Sequence, residues 1–137
     1  MGASRAEITA FLAREFQQAQ AKCEIDEVAD RRATIIYRTD HNDLRPGGTV
    51  SGPTLMLVAD FALYVAILGT AGLIPLAVTT SMTLNFLRKP AGDQDIIGDC
   101  RLMKVGKTLV VGEVWLYSKG IDDPVAHAVG TYAIPAQ

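Results

Sequence analysis

The amino-acid sequence predicts a single α+β domain in which an antiparallel sheet wraps around one central, buried helix. Its length of 137 residues suits one domain rather than two. A long uncharged segment, residues 61–87, lies in the middle of the chain, and segments typical of β-strands follow it. We therefore treat residues 1–137 as one domain, with an N-terminal helix in 1–22 and the core in 24–135.

The first elements are predicted to be a helix and two strands. The sequence Ser4-Arg5-Ala6-Glu7 fits a capping box, in which serine and glutamate bind free amides at a helix start. Apolar residues then recur at helical spacing and predict an amphipathic helix over residues 5–21. They are Ile8, Phe11, Leu12, Phe16 and Ala19. Residues 24–28 and 33–37 are typical of two strands that turn near Asp30.

The central helix is predicted to begin at Pro53, after a loop of turn-forming residues over 40–52. It runs to about Thr70, where Gly72 provides a stop. Because the helix is apolar on nearly every face, we expect it to be buried all round. One sheet covers only one side of a helix, so we expect a second subunit to cover the other side.

Four strands are predicted after this helix. Met82, Leu84 and Phe86 alternate with polar residues, as in a strand with one buried face. The other three are expected at residues 96–104, 108–117 and 125–134.

Composition excludes several classes of protein. The chain has 13 basic and 15 acidic side chains, and this near-neutral balance argues against a nucleic-acid partner. Cys23 and Cys100 lie far apart in the sequence, so we expect neither a disulfide nor a zinc site. This use of cysteine favours a protein of the reducing cytoplasm. The first residues have no secretory signal pattern. The uncharged segment is interrupted by Gly69, Gly72 and Pro75, which favours a buried helix over a membrane span.

Asp60 is the most informative single residue. It is the only charged residue between Arg45 and Arg88, inside an apolar helix. Burying an unpaired carboxylate is costly, so such a group either acquires partners or remains protonated. Either outcome suits a general base or nucleophile in a dry cleft. The alternative is an aspartate that faces outward at a subunit edge.

The glycine-rich segment 47–53 leads into the same helix. Free amides at a helix N-terminus favour an anion or a developing oxyanion, and Gly52 permits a close approach. The alternative is a turn that binds nothing. Gly52 and Asp60 are eight positions apart, about 12 Å along a helix. An antiparallel helix from a second subunit could bring its Asp60 to this Gly52, so the chemistry would need a dimer.

Several motifs together resemble the hotdog-fold acyl-CoA thioesterases, most closely the PaaI-like branch that includes 4-hydroxybenzoyl-CoA thioesterases. The resemblance covers residues 24–135. Its motifs are Leu44-Arg45-Pro46-Gly47-Gly48-Thr49-Val50-Ser51-Gly52-Pro53, Leu57-Val58-Ala59-Asp60, the strand from Val78 to Pro90, the turn Val105-Gly106-Lys107 and the closing strand Ala126–Thr131.

The resemblance implies a role for each matching residue. Asp60 matches the catalytic carboxylate, and Gly52 matches the glycine whose amide polarises the thioester carbonyl. Thr79 matches a hydroxyl residue that positions the attacking water, with Thr80 as the neighbouring candidate. The remaining positions match substrate-binding residues or the basic residues near the phosphates of coenzyme A. They are Arg45, Ser51, Pro53, Thr54, Tyr64, Arg88, Lys89 and Lys107.

Three positions depart from the family pattern. Ser51 stands where the family has histidine, Pro53 replaces a second glycine, and Arg45 aligns with an asparagine or glutamine. Proline has no amide to donate, so the amides of Gly52 and Thr54 are expected to serve.

The resemblance thus implies a cytoplasmic enzyme that hydrolyses an acyl-CoA thioester. Coenzyme A would enter only as part of the substrate, without a metal or redox cofactor. The protein would be a homodimer that pairs into a homotetramer, without a membrane or nucleic-acid partner. A non-catalytic acyl-CoA binding or sensing module is the main alternative, followed by a hydratase and then a membrane protein. The acyl group, aromatic or aliphatic, would lie along Leu57, Phe61, Tyr64 and Leu68.

Three other side chains are interpreted as structural. His127 is expected to be a core or interface histidine rather than a catalytic one. Trp115 and Tyr117 share a strand face and are expected to pack rather than to bind a ligand.

Overall fold

In the computed structural model, the described residues 2–17, 21–74 and 76–135 form two α-helices and one six-stranded antiparallel sheet. The helices are α1 (Arg5–Glu15) and α2 (Gly52–Ala71), a 3₁₀ turn spans His41–Asp43, and the strands are β1 (Cys23–Ala29), β2 (Arg32–Tyr37), β3 (Val78–Phe86), β4 (Ile96–Val105), β5 (Leu109–Ser118) and β6 (Ala126–Ala133). The strand order across the sheet is β1-β2-β4-β5-β6-β3. The predicted α+β arrangement, with its sheet packed on a central helix, is confirmed.

Helix α1 begins as predicted but is shorter. Ser4 Oγ accepts from the amide of Glu7, and Glu7 Oε1 accepts from the amide of Ser4, which completes the capping box. The predicted end at residue 21 was wrong, because the helix ends at Glu15 and Phe16 leaves the helical conformation. Residues 18–20 of that prediction lie outside the described residues. The buried stripe of α1 packs against the core through Ile8, Phe11 and Leu12.

Helix α2 packs on the inner face of the sheet through close contacts with glycines. Gly112 of β5 and Gly130 of β6 are cross-strand partners, and Leu63 occupies the space above them. A Cβ atom on Gly130 would lie 2.5 Å from Leu63 Cδ1. These glycines therefore let the buried helix approach the sheet closely.

One face of α2 is not covered by its own chain, and this is the face that we expect a second subunit to bury. Met56 and Leu57 are 47% and 43% exposed, because no element of the described chain lies against them. By length and composition α2 could cross a membrane, but 67% of its apolar window is buried within the fold. It is therefore the core helix of this domain.

Strand β3 lies at one edge of the sheet, beside the uncovered face of α2. It pairs with β6 on one side only, and apolar side chains such as Val78 and Phe86 are exposed along it. An exposed edge strand with apolar side chains is a surface on which another chain can pair.

Candidate functional site

The Asp60 carboxylate is held by two hydroxyl groups at the junction of α2, β3 and β6. Thr79 Oγ1 donates to Asp60 Oδ1 at 2.5 Å, and Tyr132 Oη donates to the same oxygen at 2.7 Å. The Tyr132 hydroxyl also lies 3.1 Å from the carbonyl oxygen of Asp60. Asp60 has thus acquired partners, as predicted for a carboxylate in an apolar helix.

Strand pairing explains why these two hydroxyls meet at one carboxylate. Thr79 of β3 and Tyr132 of β6 are directly opposite each other in the ladder, so their side chains share a face. A bulge follows, because Ser81 already pairs with Thr131 and Thr80 has no partner position. Thr80 donates instead to the carbonyl of Thr131 at 3.3 Å. Of the two threonine candidates, Thr79 is the one in contact with Asp60.

Tyr132 was not among the residues predicted from the sequence. It is only 4% exposed. Burial raises the pKa of Tyr132, and the negative charge of Asp60 raises it further, so the phenol stays protonated and remains a hydrogen-bond donor. Its ring stacks on Tyr64 with centroids 6.1 Å apart. Only the β3–β6 pairing reveals its position, and nothing in the sequence indicated that pairing.

The second carboxylate oxygen of Asp60 remains available. Among the residues that the structure describes, no hydrogen bond reaches Oδ2. Asp60 lines two cavities that meet at it. An inner cavity of about 510 Å³ lies between α1, α2 and β3, and an outer one of about 360 Å³ lies on the uncovered face of α2, beside Pro53, Met56 and Leu57. The carboxylate can therefore act on a molecule that occupies both.

The start of α2 offers one free backbone donor. Ser51 is the N-cap, and its Oγ accepts from the amide of Thr54 at 3.3 Å. The amide of Leu55 binds the carbonyl of Ser51 at 3.1 Å, and Pro53 has no amide. The expectation that Thr54 supplies a second donor is therefore corrected. Within the described part of the chain, the Gly52 amide alone has no partner in this turn.

A third cavity, of about 350 Å³, surrounds Gly52 and carries positive charge. Arg45, Arg88 and Lys89 line it together with Phe86. Arg88 also donates to the carbonyl of Pro124 at 2.7 Å, which fixes one of its nitrogens. The predicted cationic residues thus lie beside the predicted oxyanion donor, except for Lys107, which is in the β4–β5 turn and lines neither this cavity nor those at Asp60.

A buried polar cluster that the sequence analysis missed supports the start of α2. Asp43, which is 6% exposed, accepts from Tyr37 Oη at 2.8 Å, from Thr54 Oγ1 at 3.1 Å and from Lys22 Nζ at 2.5 Å. Its carbonyl accepts from the amide of Ser51 at 2.7 Å. Burial alone would raise the pKa of Asp43, but the hydrogen bonds from Lys22 and its other partners outweigh burial and lower it. The cluster therefore holds the loop before Gly52 in one position.

The other candidates from the sequence lie elsewhere. His127 of β6 lies with its Nε2 2.9 Å from Glu113 Oε1, and its ring packs on Trp115 of β5 on the outer face of the sheet. Tyr117 is also on β5. Phe61 and Leu68 are buried in the core, so the expectation that they line the acyl site is wrong.

The described residues form neither a group of metal ligands nor a disulfide. No group of three or more His, Cys, Asp or Glu within residues 2–17, 21–74 and 76–135 is placed to hold a metal ion. Cys23 and Cys100 are free and buried, and burial raises the pKa of the Cys23 thiol to about 12.

Comparisons with sequence families and with solved structures both match this chain to thioesterases. The sequence profile of the Thioesterase superfamily matches residues 47–125. No curated protein matches the chain by sequence. A protein from a Silicibacter species, provisionally described as a thioesterase, is 41% identical, with a TM-score of 0.90 over 97% of this chain and 92% of that one.

Two further solved structures share the fold at lower identity. Zebrafish thioesterase superfamily member 2 has a TM-score of 0.85 and 18% identity, over 98% of this chain and 100% of that one. The PaaI protein of the E. coli phenylacetic acid degradation operon has a TM-score of 0.78 and 21% identity, over 94% and 97%.

Proposed function

This chain belongs to the thioesterase superfamily and adopts its hotdog fold, and from this premise we propose that it hydrolyses acyl-coenzyme A thioesters. The observation that carries the proposal is the Asp60 carboxylate, which Thr79 and Tyr132 hold through Oδ1 and which lines two adjoining cavities. An anchored carboxylate with one free oxygen suits general-base catalysis, because a base must be held within hydrogen-bond reach of the proton it takes.

The reaction follows from these groups. Asp60 Oδ2 takes a proton from a water molecule as the water oxygen bonds to the thioester carbonyl carbon. The carbonyl oxygen becomes an oxyanion, which then re-forms the double bond as the carbon–sulfur bond breaks. The coenzyme A thiolate leaves and receives the proton. Direct attack by the Asp60 carboxylate, giving an anhydride that water then cleaves, is the second route to the same products.

The oxyanion donor is the amide of Gly52 from the partner subunit. Within one protomer the two groups lie about 12 Å apart along α2, too far to act on one carbonyl. The uncovered α2 face and the β3 edge lie on the same side as the outer cavity at Asp60. A twofold dimer that pairs these surfaces brings each Asp60 toward Gly52 of the partner subunit. Two such dimers would form the homotetramer.

The phosphates of coenzyme A are expected to bind the cationic cavity at Gly52. Arg45, Arg88 and Lys89 supply three positive charges next to the free amide. Arginine and lysine bind phosphate groups well, and such contacts hold the thioester near the helix start. Lys107 would contribute only from its turn in another subunit. No metal or redox cofactor is needed, and a reducing cytoplasm is the proposed compartment.

A non-catalytic acyl-CoA binding module is the second candidate. The observation that favours it is the single free amide at the helix start, because Pro53 and the capped Thr54 leave Gly52 alone to stabilise an oxyanion.

Release of free thiol from a panel of short, medium, long and aromatic acyl-CoAs tests the proposal. We expect Asp60→Asn to reduce turnover by about 10²–10⁴-fold, as for loss of a general base, with the oligomer and melting temperature unchanged. Asp122→Asn, an exposed carboxylate in the β5–β6 connection, is the matched control and should match the wild type. Wild-type turnover in Asp60→Asn would contradict the role of Asp60. Tight binding of acyl-CoA by the wild type and by Asp60→Asn, without thiol release by either, would favour the binding module.

A further inference from the structure

We propose that the inner cavity at Asp60 holds the acyl group, that α1 forms its outer wall, and that it selects uncharged, apolar acyl groups over those that end in a carboxylate. The inference rests on the proposed function and specifies its substrate. The cavity, of about 510 Å³, lies within the size range of small-molecule sites, roughly 300–1,000 Å³. Its lining combines α1, α2, the β3 start and β6.

Four of the ten described residues that line this cavity are aromatic. The chain has four Phe, four Tyr and one Trp, and four of these nine rings line it: Phe11, Phe16, Tyr64 and Tyr132. Tyr64 stacks on Tyr132, and Phe16 meets Tyr64 edge-on with centroids 6.4 Å apart. Phe16 is nevertheless 40% exposed. A large apolar ring that remains exposed beside a cavity leaves apolar surface for a ligand to cover.

The position of Asp60 connects this cavity to the reaction. Asp60 and Thr79 line both the inner cavity and the outer one. A thioester whose carbonyl lies at Asp60 can therefore place its acyl group inward and its sulfur outward, toward the cationic residues of a partner subunit. Helix α1 lies outside the segment 47–125 that the superfamily profile matches. The wall that α1 provides is therefore a feature of this chain beyond the matched segment.

The charges around the cavity are negative. Glu15 and Asp60 line it, and no Lys, Arg or His is among its described lining residues. Arg14 pairs with Glu15 at 3.4 Å, but both side chains are exposed, so water screens that pair. A carboxylate at the end of an acyl chain would enter a cavity that carries only like charges and would lose part of its hydration. An acyl group without charge avoids both costs.

Hexanoyl-CoA and adipoyl-CoA provide the matched probes, because both acyl groups have six carbons and only adipoyl ends in a carboxylate. We expect the wild type to favour hexanoyl-CoA in kcat/KM by at least about tenfold. Glu15→Lys should reduce that preference several-fold by improving the adipoyl reaction. Equal use of both substrates by the wild type, or an unchanged preference in Glu15→Lys, would overturn the charge selection.

Phe16→Ala tests the wall itself. We expect kcat/KM for hexanoyl-CoA to fall about tenfold through KM, with kcat nearly unchanged, because the lost ring contacts the acyl group and not the reacting atoms. Ile121→Ala is the control, because Ile121 is 47% exposed and lies in the β5–β6 connection, away from the cavity. If Phe16→Ala has the same kinetics as Ile121→Ala while Asp60→Asn abolishes turnover, the proposed acyl site is refuted. The proposed hydrolysis is then retained.

A binding measurement separates the two proposals. Titration of hexanoyl-CoA into Asp60→Asn, with and without Phe16→Ala, reports on the cavity in the absence of turnover. Weaker binding in the double variant supports the acyl site even if the wild type hydrolyses nothing. Equal binding by the two variants overturns it.

Discussion

Replacing Tyr132 with phenylalanine removes one of the two hydroxyl groups that anchor Asp60 and preserves the ring. The phenol is buried, donates to Asp60 Oδ1 at 2.7 Å, and stays protonated because its pKa is raised. The ring stacking on Tyr64 survives the change. The variant therefore tests whether a residue that the sequence analysis missed positions the proposed base.

The size of the effect follows from the chemistry of that bond. A hydrogen bond to a charged group contributes about 1.5–3 kcal/mol. If it acts on the reacting geometry, its loss lowers kcat by about 10- to 100-fold, since about 1.4 kcal/mol corresponds to tenfold. We expect KM to change little, because the lost hydroxyl is bonded to Asp60.

Steady-state thiol release, with kcat and KM resolved, is the assay. Tyr117→Phe is the control, because it loses the same hydroxyl from the outer side of the sheet. Thr79→Val and the double variant complete a cycle, and their effects should be non-additive because both donors bind Oδ1. A kcat for Tyr132→Phe within twofold of the wild type, or a loss of activity that lies entirely in KM, would refute the positioning role.

Two further predictions concern stability. The pKa of Asp43 is lowered in the folded protein, so its charge stabilises the fold above the unfolded pKa of about 3.9 and this contribution disappears as the pH falls through the folded value. Asp43→Asn should therefore lose about 2 kcal/mol at pH 7. Its melting temperature should fall less steeply than that of the wild type as the pH drops below about 5, and parallel curves would contradict this. Gly130→Ala should cost about 1–3 kcal/mol in chemical denaturation, because its Cβ meets Leu63. The cost should shrink in a Leu63→Ala background, and an unchanged cost there would contradict the clash.

The fold was largely predictable because its local signals agree with one another. The capping box at Ser4 appears as predicted, the central helix begins within one residue of the predicted Pro53, and the alternating strand that holds Met82, Leu84 and Phe86 lies within β3. That one side of α2 would need another cover was expected, but which of its side chains form that side was harder to predict. Hydropathy reports that Met56 and Leu57 are apolar, but which apolar residues the domain covers depends on tertiary packing.

The candidate site was predictable only in part, for a related reason. Asp60 is conspicuous because a charge in an apolar helix is rare, and Gly52 because it opens a helix. Tyr132 and Asp43 give no such signal. Tyr132 reaches Asp60 through the non-local pairing of β3 with β6, and Asp43 reaches Thr54 through a folded loop. Both contacts depend on which strands and turns become neighbours, which residue spacing alone did not specify.

The departures at Ser51 and Pro53 have a structural consequence that bears on activity. The family pattern places a histidine and a second glycine there, whereas this chain uses Ser51 to cap α2 and Pro53 to begin it. The serine cap engages the Thr54 amide, and proline offers none, so a single free donor remains at Gly52. Removing one oxyanion donor typically costs about 10²–10³ in kcat. A thioesterase built on this helix start should therefore depend strongly on the Asp60 anchor, and Pro53→Gly, which restores an amide next to Gly52, should raise kcat rather than lower it.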